Sequence, residues 1–134
     1  MVMDGEEQTG ERPSAPEDLL PLTPAALNVL LALADGERHG YGIMLEVRAL
    51  TGGRVRLGPG TLYGAIKRLM AGGVIEEAGE RPDPGADDER RRYYRLTGFG
   101  GEVLAAEVAR LDGLVRTARR KGAFPLAEPS PEGA

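Results

Sequence analysis

Apolar positions recur along the middle of the chain with a helical period, break, alternate, and then become helical again. After Leu22-Thr23-Pro24, where threonine can cap a first turn and the missing proline N–H costs nothing, Leu27, Leu30, Leu31 and Ala34 fall at i, i+3, i+4 and i+7. They predict a first helix closed by Asp35-Gly36. Glu37 to Gly42 reads as a turn into a second helix, Ile43 to Leu50, ended by Gly52-Gly53. Arg54-Val55-Arg56-Leu57 alternates with period two, which predicts a short half-exposed strand. Gly58-Pro59-Gly60 breaks the chain, and Thr61 to Ala71 reads as a third helix. It would bury Leu62, Ile66 and Leu69 and turn Gly60, Gly64 and Lys67 outward, flanked by Tyr63 and Arg68. Val74 to Glu77 and Arg91 to Leu96 predict the arms of a hairpin, with residues 81–88 projecting as a polar loop because Pro82 and Pro84 cannot join a ladder. From a capping Thr97 to about Lys121 runs a fourth, amphipathic helix, about 35 Å long at helical rise. Along it Leu104, Val108, Leu111, Val115 and Ala118 are spaced 4, 3, 4, 3, a heptad seam that Leu114 widens. Gly98, Gly100, Gly101 and Gly113 weaken that helix.

Helix, helix, short strand, helix, hairpin and long helix is the order of a winged helix-turn-helix with an added C-terminal dimerisation helix, an α+β fold that is mainly α. A third helix with its polar side outward fits the roughly 12 Å major groove of B-DNA, and a projecting hairpin reaches the adjacent backbone. The candidate DNA contacts are Thr61, Tyr63, Gly64, Lys67 and Arg68 on that helix, Arg90, Arg91 and Arg92 on the returning hairpin arm, and His39 before the second helix. Each has a plainer reading. His39 can be a helix cap or a packing group, Tyr63 can cover the junction with the second helix, and Lys67 with Arg68 can be a solvated face. The hairpin arginines can neutralise Asp87, Asp88 and Glu89. The seam, with Leu104, Val108, Leu111, Leu114, Val115 and Ala118, is expected to pair two copies of the chain, although it can also pack on the first helix.

Charge looks unfavourable for DNA until it is divided. The net charge is −4, but residues 1–22 hold six acids against Arg12 and residues 123–134 hold Glu128 and Glu132. Between Thr23 and Gly122 lie 16 of the 17 Lys and Arg and 13 of the 21 Asp and Glu, which leaves a body of +3. Residues 1–20, rich in Glu, Pro and Gly, are expected to be a disordered acidic tail, as are residues 122–134. Residues 21–97 then form the DNA-binding domain and 98–121 the dimerisation helix.

The chemistry excluded is broad. Cys 0 removes disulfides and thiolate sites and suits a reducing cytoplasm, and His 1 leaves neither a multi-histidine metal site nor His-paired catalysis, so no metal, cofactor or enzymatic activity is expected. GPGTLYG is not a phosphate-binding GxxxxGK[ST] loop. No apolar run approaches a membrane span, and the acidic N-terminus is unlike a signal peptide, so a cytoplasmic protein is expected.

Four segments in order carry a resemblance: Leu22-Thr23-Pro24, His39-Gly40-Tyr41-Gly42-Ile43, Pro59 to Leu69 with its Pro-Gly-Thr-Leu-Tyr opening, and Arg92-Tyr93-Tyr94-Arg95-Leu96-Thr97. They resemble the signature segments of the PadR family of bacterial transcriptional regulators, in the form with a single C-terminal helix. The resemblance implies a homodimeric winged-helix repressor, binding double-stranded DNA at a pseudo-palindromic operator and released by a small-molecule effector. Two features depart from it. The hairpin tip Asp87-Asp88-Glu89 is acidic, and with Trp 0 there are no tryptophans to sandwich a flat ligand. The competing function is a winged-helix adaptor that binds protein without DNA, and a third reading keeps DNA binding without an effector. An adaptor would expose apolar or acidic groups on the third helix, where this chain carries Tyr63, Lys67 and Arg68.

Overall fold

Thr23 does cap the first helix, its hydroxyl accepting the Ala26 N–H at 3.1 Å, and α1 runs Pro24–Ala32. A computed structural model of the chain describes residues 15–83 and 86–123, with the side chains of 83–90 outside the description. Helix α1 buries Val29, Leu30 and Ala32, with Leu33 at its C-cap, while Leu31 and Ala34 are exposed. The stripe expected through Leu31 and Ala34 is therefore rotated. A helix apolar on nearly every side has little period, and its packing partners choose the buried face.

Helix α2 spans Gly40–Leu50, beginning earlier than the sequence pattern predicts because His39 caps it, Nδ1 accepting the Gly42 N–H at 3.0 Å. Residues 54–57 form no strand. The Thr51 hydroxyl takes the Val55 N–H at 3.0 Å and holds the segment as a loop that buries Leu57. Arg38–His39 supply the short strand instead, β1, paired antiparallel with Tyr94 and Tyr93.

Helix α3, Pro59–Ala71, buries Leu62, Ile66 and Leu69 as expected, together with Ala65. Strands β2, Ile75–Asp83, and β3, Ala86–Leu96, complete an antiparallel sheet of order β1-β3-β2. The hairpin is longer than predicted, since Pro82 stands in register with Arg90. As β2 is an edge strand, a missing proline N–H is tolerated there.

Helix α4 spans Gly98–Arg120. The Thr97 hydroxyl accepts the Gly100 N–H at 2.9 Å and donates to the Gly73 carbonyl at 2.6 Å. A Cβ on Gly100 would lie 1.9 Å from the Val74 carbonyl oxygen. The glycine that weakens the helix is what lets it seat on the sheet. Val103 and Leu104 then join Ile43, Val47, Leu62, Ile75 and Tyr94 in one core.

Pro16–Leu19 form a 3-10 turn, so order begins inside the stretch that composition assigned to a disordered tail. Leu19, Leu20 and Leu22 supply the reason by packing on the core. The expectation for residues 1–14 and 124–134 lies outside the described residues. Glu107 clasps this N-terminal segment to α4: only 1% exposed, it accepts the Leu22 N–H at 3.0 Å and pairs with Arg110 Nε at 2.6 Å and Nη2 at 3.0 Å. The Arg110 guanidinium holds the Glu107 carboxyl below its ordinary value, overcoming burial, and the Leu22 N–H adds to the effect.

Candidate nucleic-acid interface

The buried side of α3 fixes what its other side presents. With Leu62, Ala65, Ile66 and Leu69 in the core, Thr61, Tyr63, Lys67 and Arg68 are exposed and Gly64 is half-buried. A Cβ on Gly64 would stand 3.5 Å from Arg68 Nη1, so that arginine reaches back along the helix. The Tyr63 hydroxyl lies over the start of α2, where a Cβ on Gly40 would stand 2.1 Å from it. Arg68 instead borders the N-terminal segment, near Leu19 and Leu22. The reading in which Tyr63 covers the helix-two junction thus describes its packing, yet the ring stays 48% exposed.

Between α2, α3 and the hairpin lies an open cavity of about 400 Å³, bounded by His39, Tyr41, Tyr63, Arg91 and Arg92, with Glu80 as an acidic neighbour. His39 is both the α2 cap and an edge-on partner of Tyr93, ring centroids 5.2 Å apart. Arg91 lies across this junction, its Nη1 3.4 Å from His39 Nδ1 and its guanidinium 5.5 Å from the centre of the Tyr41 ring. Tyr41 escaped the sequence reasoning. Its only signal was its place in the His39-Gly40-Tyr41-Gly42-Ile43 run.

The hairpin arginines are already engaged with carboxylates. Arg92 lies 3.7 Å from Glu77 and 3.6 Å from Glu80, across the hairpin rather than at its tip. Arg95 pairs with Glu76 at 2.8 Å and reaches Glu37 at 3.4 Å, while Arg81 also holds Glu37. The Arg81 hydrogen bond draws the Glu37 carboxyl below its usual range, against desolvation, with Arg95 contributing. The side chains of Arg90, Asp87, Asp88 and Glu89 lie outside the described residues, so the expected neutralisation at the tip does too.

The heptad seam divides. Leu104 is 8% exposed and belongs to the chain's own core, whereas Val108 is 46%, Leu114 55% and Val115 37% exposed; Leu111 and Ala118 are half-buried. Beyond Glu107 the helix buries no further residue, and Val108, Leu114 and Val115 turn an apolar side to solvent. Among the described residues no group of acidic and histidine side chains is arranged to hold a metal ion, and no helix is long and apolar enough to cross a membrane.

Comparison with known proteins adds four findings. The family described as the transcriptional regulator PadR-like family matches residues 29–106. An uncharacterized transposon-encoded protein of Streptomyces fradiae is 43% identical over 94 residues, 68% of this chain, which spans only 25% of that relative's length. A transcriptional regulator of Mycobacterium tuberculosis is 34% identical over 90 residues, covering 67% of this chain and 78% of the relative. Among solved structures, Bacillus subtilis PadR in complex with operator DNA shares the fold with a TM-score of 0.55 at 22% identity, over 82% of this chain and 54% of that one.

Proposed function

The chain belongs to the PadR-like family of transcriptional regulators, and from that premise we propose that it binds double-stranded DNA as a homodimer, represses transcription, and is released by a small molecule. Residues 21–97 act as the DNA-reading unit and 98–121 as the dimerisation helix. The observation that carries the reading is the exposed cationic side of α3, Lys67 and Arg68, on the same helix as Tyr63, which borders the open junction where Arg91 lies. Lys67 or Arg68 meets base edges in the major groove, Tyr63 and Thr61 brace the backbone where Gly64 lets it approach, and Arg90, Arg91 and Arg92 serve phosphates. His39 acts mainly by capping α2 and steadying Arg91. For Arg92, contact with phosphate means exchanging Glu77 and Glu80 for the DNA backbone. The side chains of Val108, Leu111, Leu114, Val115 and Ala118 meet their copies across a two-fold axis; Leu104, engaged in the core, contributes little.

Selection of bound fragments from a random DNA pool tests this function. A two-fold dimer sets its recognition helices about one helical turn apart, ~34 Å, so the recovered site should be a pseudo-palindrome. Recovery of no preferred sequence would favour the protein-adaptor reading, and an asymmetric site would count against the dimer.

A further inference from the structure

Two neighbours of opposite charge, Glu37 and Arg38, stand where the chain enters β1, and they fasten to different parts of the fold. Arg38 turns to the helices: its Nε donates to the Ala32 carbonyl at the end of α1 at 2.8 Å, and its Nη2 lies 3.4 Å from Glu46 of α2. Glu37 turns to the hairpin, where one carboxylate oxygen takes Arg81 of β2 and the other lies 3.4 Å from Arg95 of β3. The Arg81 guanidinium is fixed further by the Ala78 carbonyl at 2.9 Å and by the Tyr93 ring, whose centre is 4.1 Å away. That ring meets His39 edge-on, and His39 Nδ1 lies 3.4 Å from Arg91. A continuous set of contacts therefore runs from Glu37 through Arg81, Tyr93 and His39 to Arg91.

The strand register adds a second effect. Arg81 stands opposite Arg91 across the hairpin, and like charges directly opposite one another destabilise a strand pair. An acid held on Arg81 relieves that repulsion and leaves Arg91 beside the Tyr41 ring. We propose that Glu37 is a positioning residue for DNA binding: by joining Arg81 and Arg95 to the entrance of β1 it seats the hairpin on the body and keeps Arg91 at the junction with α2. The role rests on the DNA-binding reading above. Its consequence opposes the plain effect of charge, in which losing an acid from a face that meets phosphates strengthens binding. Glu37 acts through Arg91, so its loss weakens binding.

Glu37→Gln in the full chain removes the charge and keeps the shape. The residue is exposed, so the variant should fold, with a circular dichroism melt close to the parent's. In fluorescence anisotropy it should bind a selected and a scrambled duplex about threefold or more weakly, the size expected when two exposed ion pairs are lost from each subunit. Its salt slope should fall toward that of Arg91→Ala. In an Arg91→Ala background the same change should weaken binding no further, because the group that Glu37 positions is gone. Amide hydrogen exchange supplies a readout without DNA: the amides of β2 from Gly79 onward and of β3 up to Arg92 should exchange faster in Glu37→Gln, while those of α3 keep the parental rate. Unchanged or tighter DNA binding overturns the proposal, and so does a loss that persists at full size beside Arg91→Ala. Should the chain bind no duplex at all, the DNA reading fails while exchange still decides whether Glu37 seats the hairpin, and parental rates there overturn that seating.

Discussion

Replacing Glu107 by alanine removes the clasp between the N-terminal segment and α4. The carboxylate is 1% exposed and accepts the Leu22 N–H, so truncation loses a hydrogen bond to a charged acceptor and leaves a partly buried donor without its partner. Such a loss costs about 1.5–3 kcal/mol. Arg110 is exposed enough to regain water, so the larger penalty of a stranded buried charge is not added. The expected destabilisation is about 2–3 kcal/mol, a fall in Tm of roughly 10 °C for a domain of this size. Glu107→Gln keeps a carbonyl acceptor for Leu22 and should lose about half as much. Acid supplies a second check. The folded carboxyl titrates below its ordinary value of 4.5, so its contribution is complete above the unfolded pKa and is lost as pH falls through the folded one. Thermal melts followed by circular dichroism at neutral pH and at about pH 3 should therefore show a gap between the parent chain and Glu107→Ala that narrows in acid. A loss under about 0.5 kcal/mol, the range of ordinary surface changes, or a gap that widens in acid, would refute the reasoning.

Three further outcomes are expected. Leu114→Glu with Val115→Glu places two charges on the exposed side of α4 and should convert dimers to monomers in sedimentation; a variant that still sediments as a dimer places the seam elsewhere. Gly100→Ala sets a Cβ 1.9 Å from the Val74 carbonyl oxygen, backbone that cannot move aside, and should cost about 3 kcal/mol or more in denaturant unfolding, whereas a near-parental midpoint would contradict the seating of α4. Gly40→Ala meets only the tip of the Tyr63 side chain, which can swing away, so stability should stay within about 1 kcal/mol while affinity for a selected duplex falls in fluorescence anisotropy. Unchanged affinity there would remove Tyr63 from the DNA contacts.

Elements with strong period or clear punctuation were legible from residues alone. Helix α3 was visible because Pro59 opens it, Gly72 follows it and Leu62, Ile66 and Leu69 repeat at helical spacing; α4 was visible from Thr97 and its heptad. Strand β1 was not, because two residues, Arg38–His39, have no period and become a strand only through pairing with Tyr93 and Tyr94. The alternating Arg54 to Leu57 misled for the opposite reason, since period two marks a half-buried extended segment whether or not a neighbour pairs with it. Within the proposed interface, residue types and their helix were readable. The division between Tyr63 at the wing junction and Arg68 beside the N-terminal segment was not, because it depends on where that segment packs, nor were the carboxylates holding Arg92 and Arg95, because they depend on the register of β2 against β3. The Glu107 clasp joins residues 85 positions apart, and no local pattern announces it.

The central claim is that α3 reads DNA sequence while the hairpin holds its backbone, and one titration separates the two roles. Lys67→Ala with Arg68→Ala, and separately Arg91→Ala, would be measured against a selected duplex and a scrambled one across a series of salt concentrations. The helix variant should narrow the difference between the two duplexes by about 1–3 kcal/mol for each base edge no longer read, counted twice in a two-fold dimer. Arg91→Ala should weaken both duplexes alike and lower the salt slope by about two per dimer while leaving the preference intact. Unchanged affinity and preference in the helix variant would contradict the account.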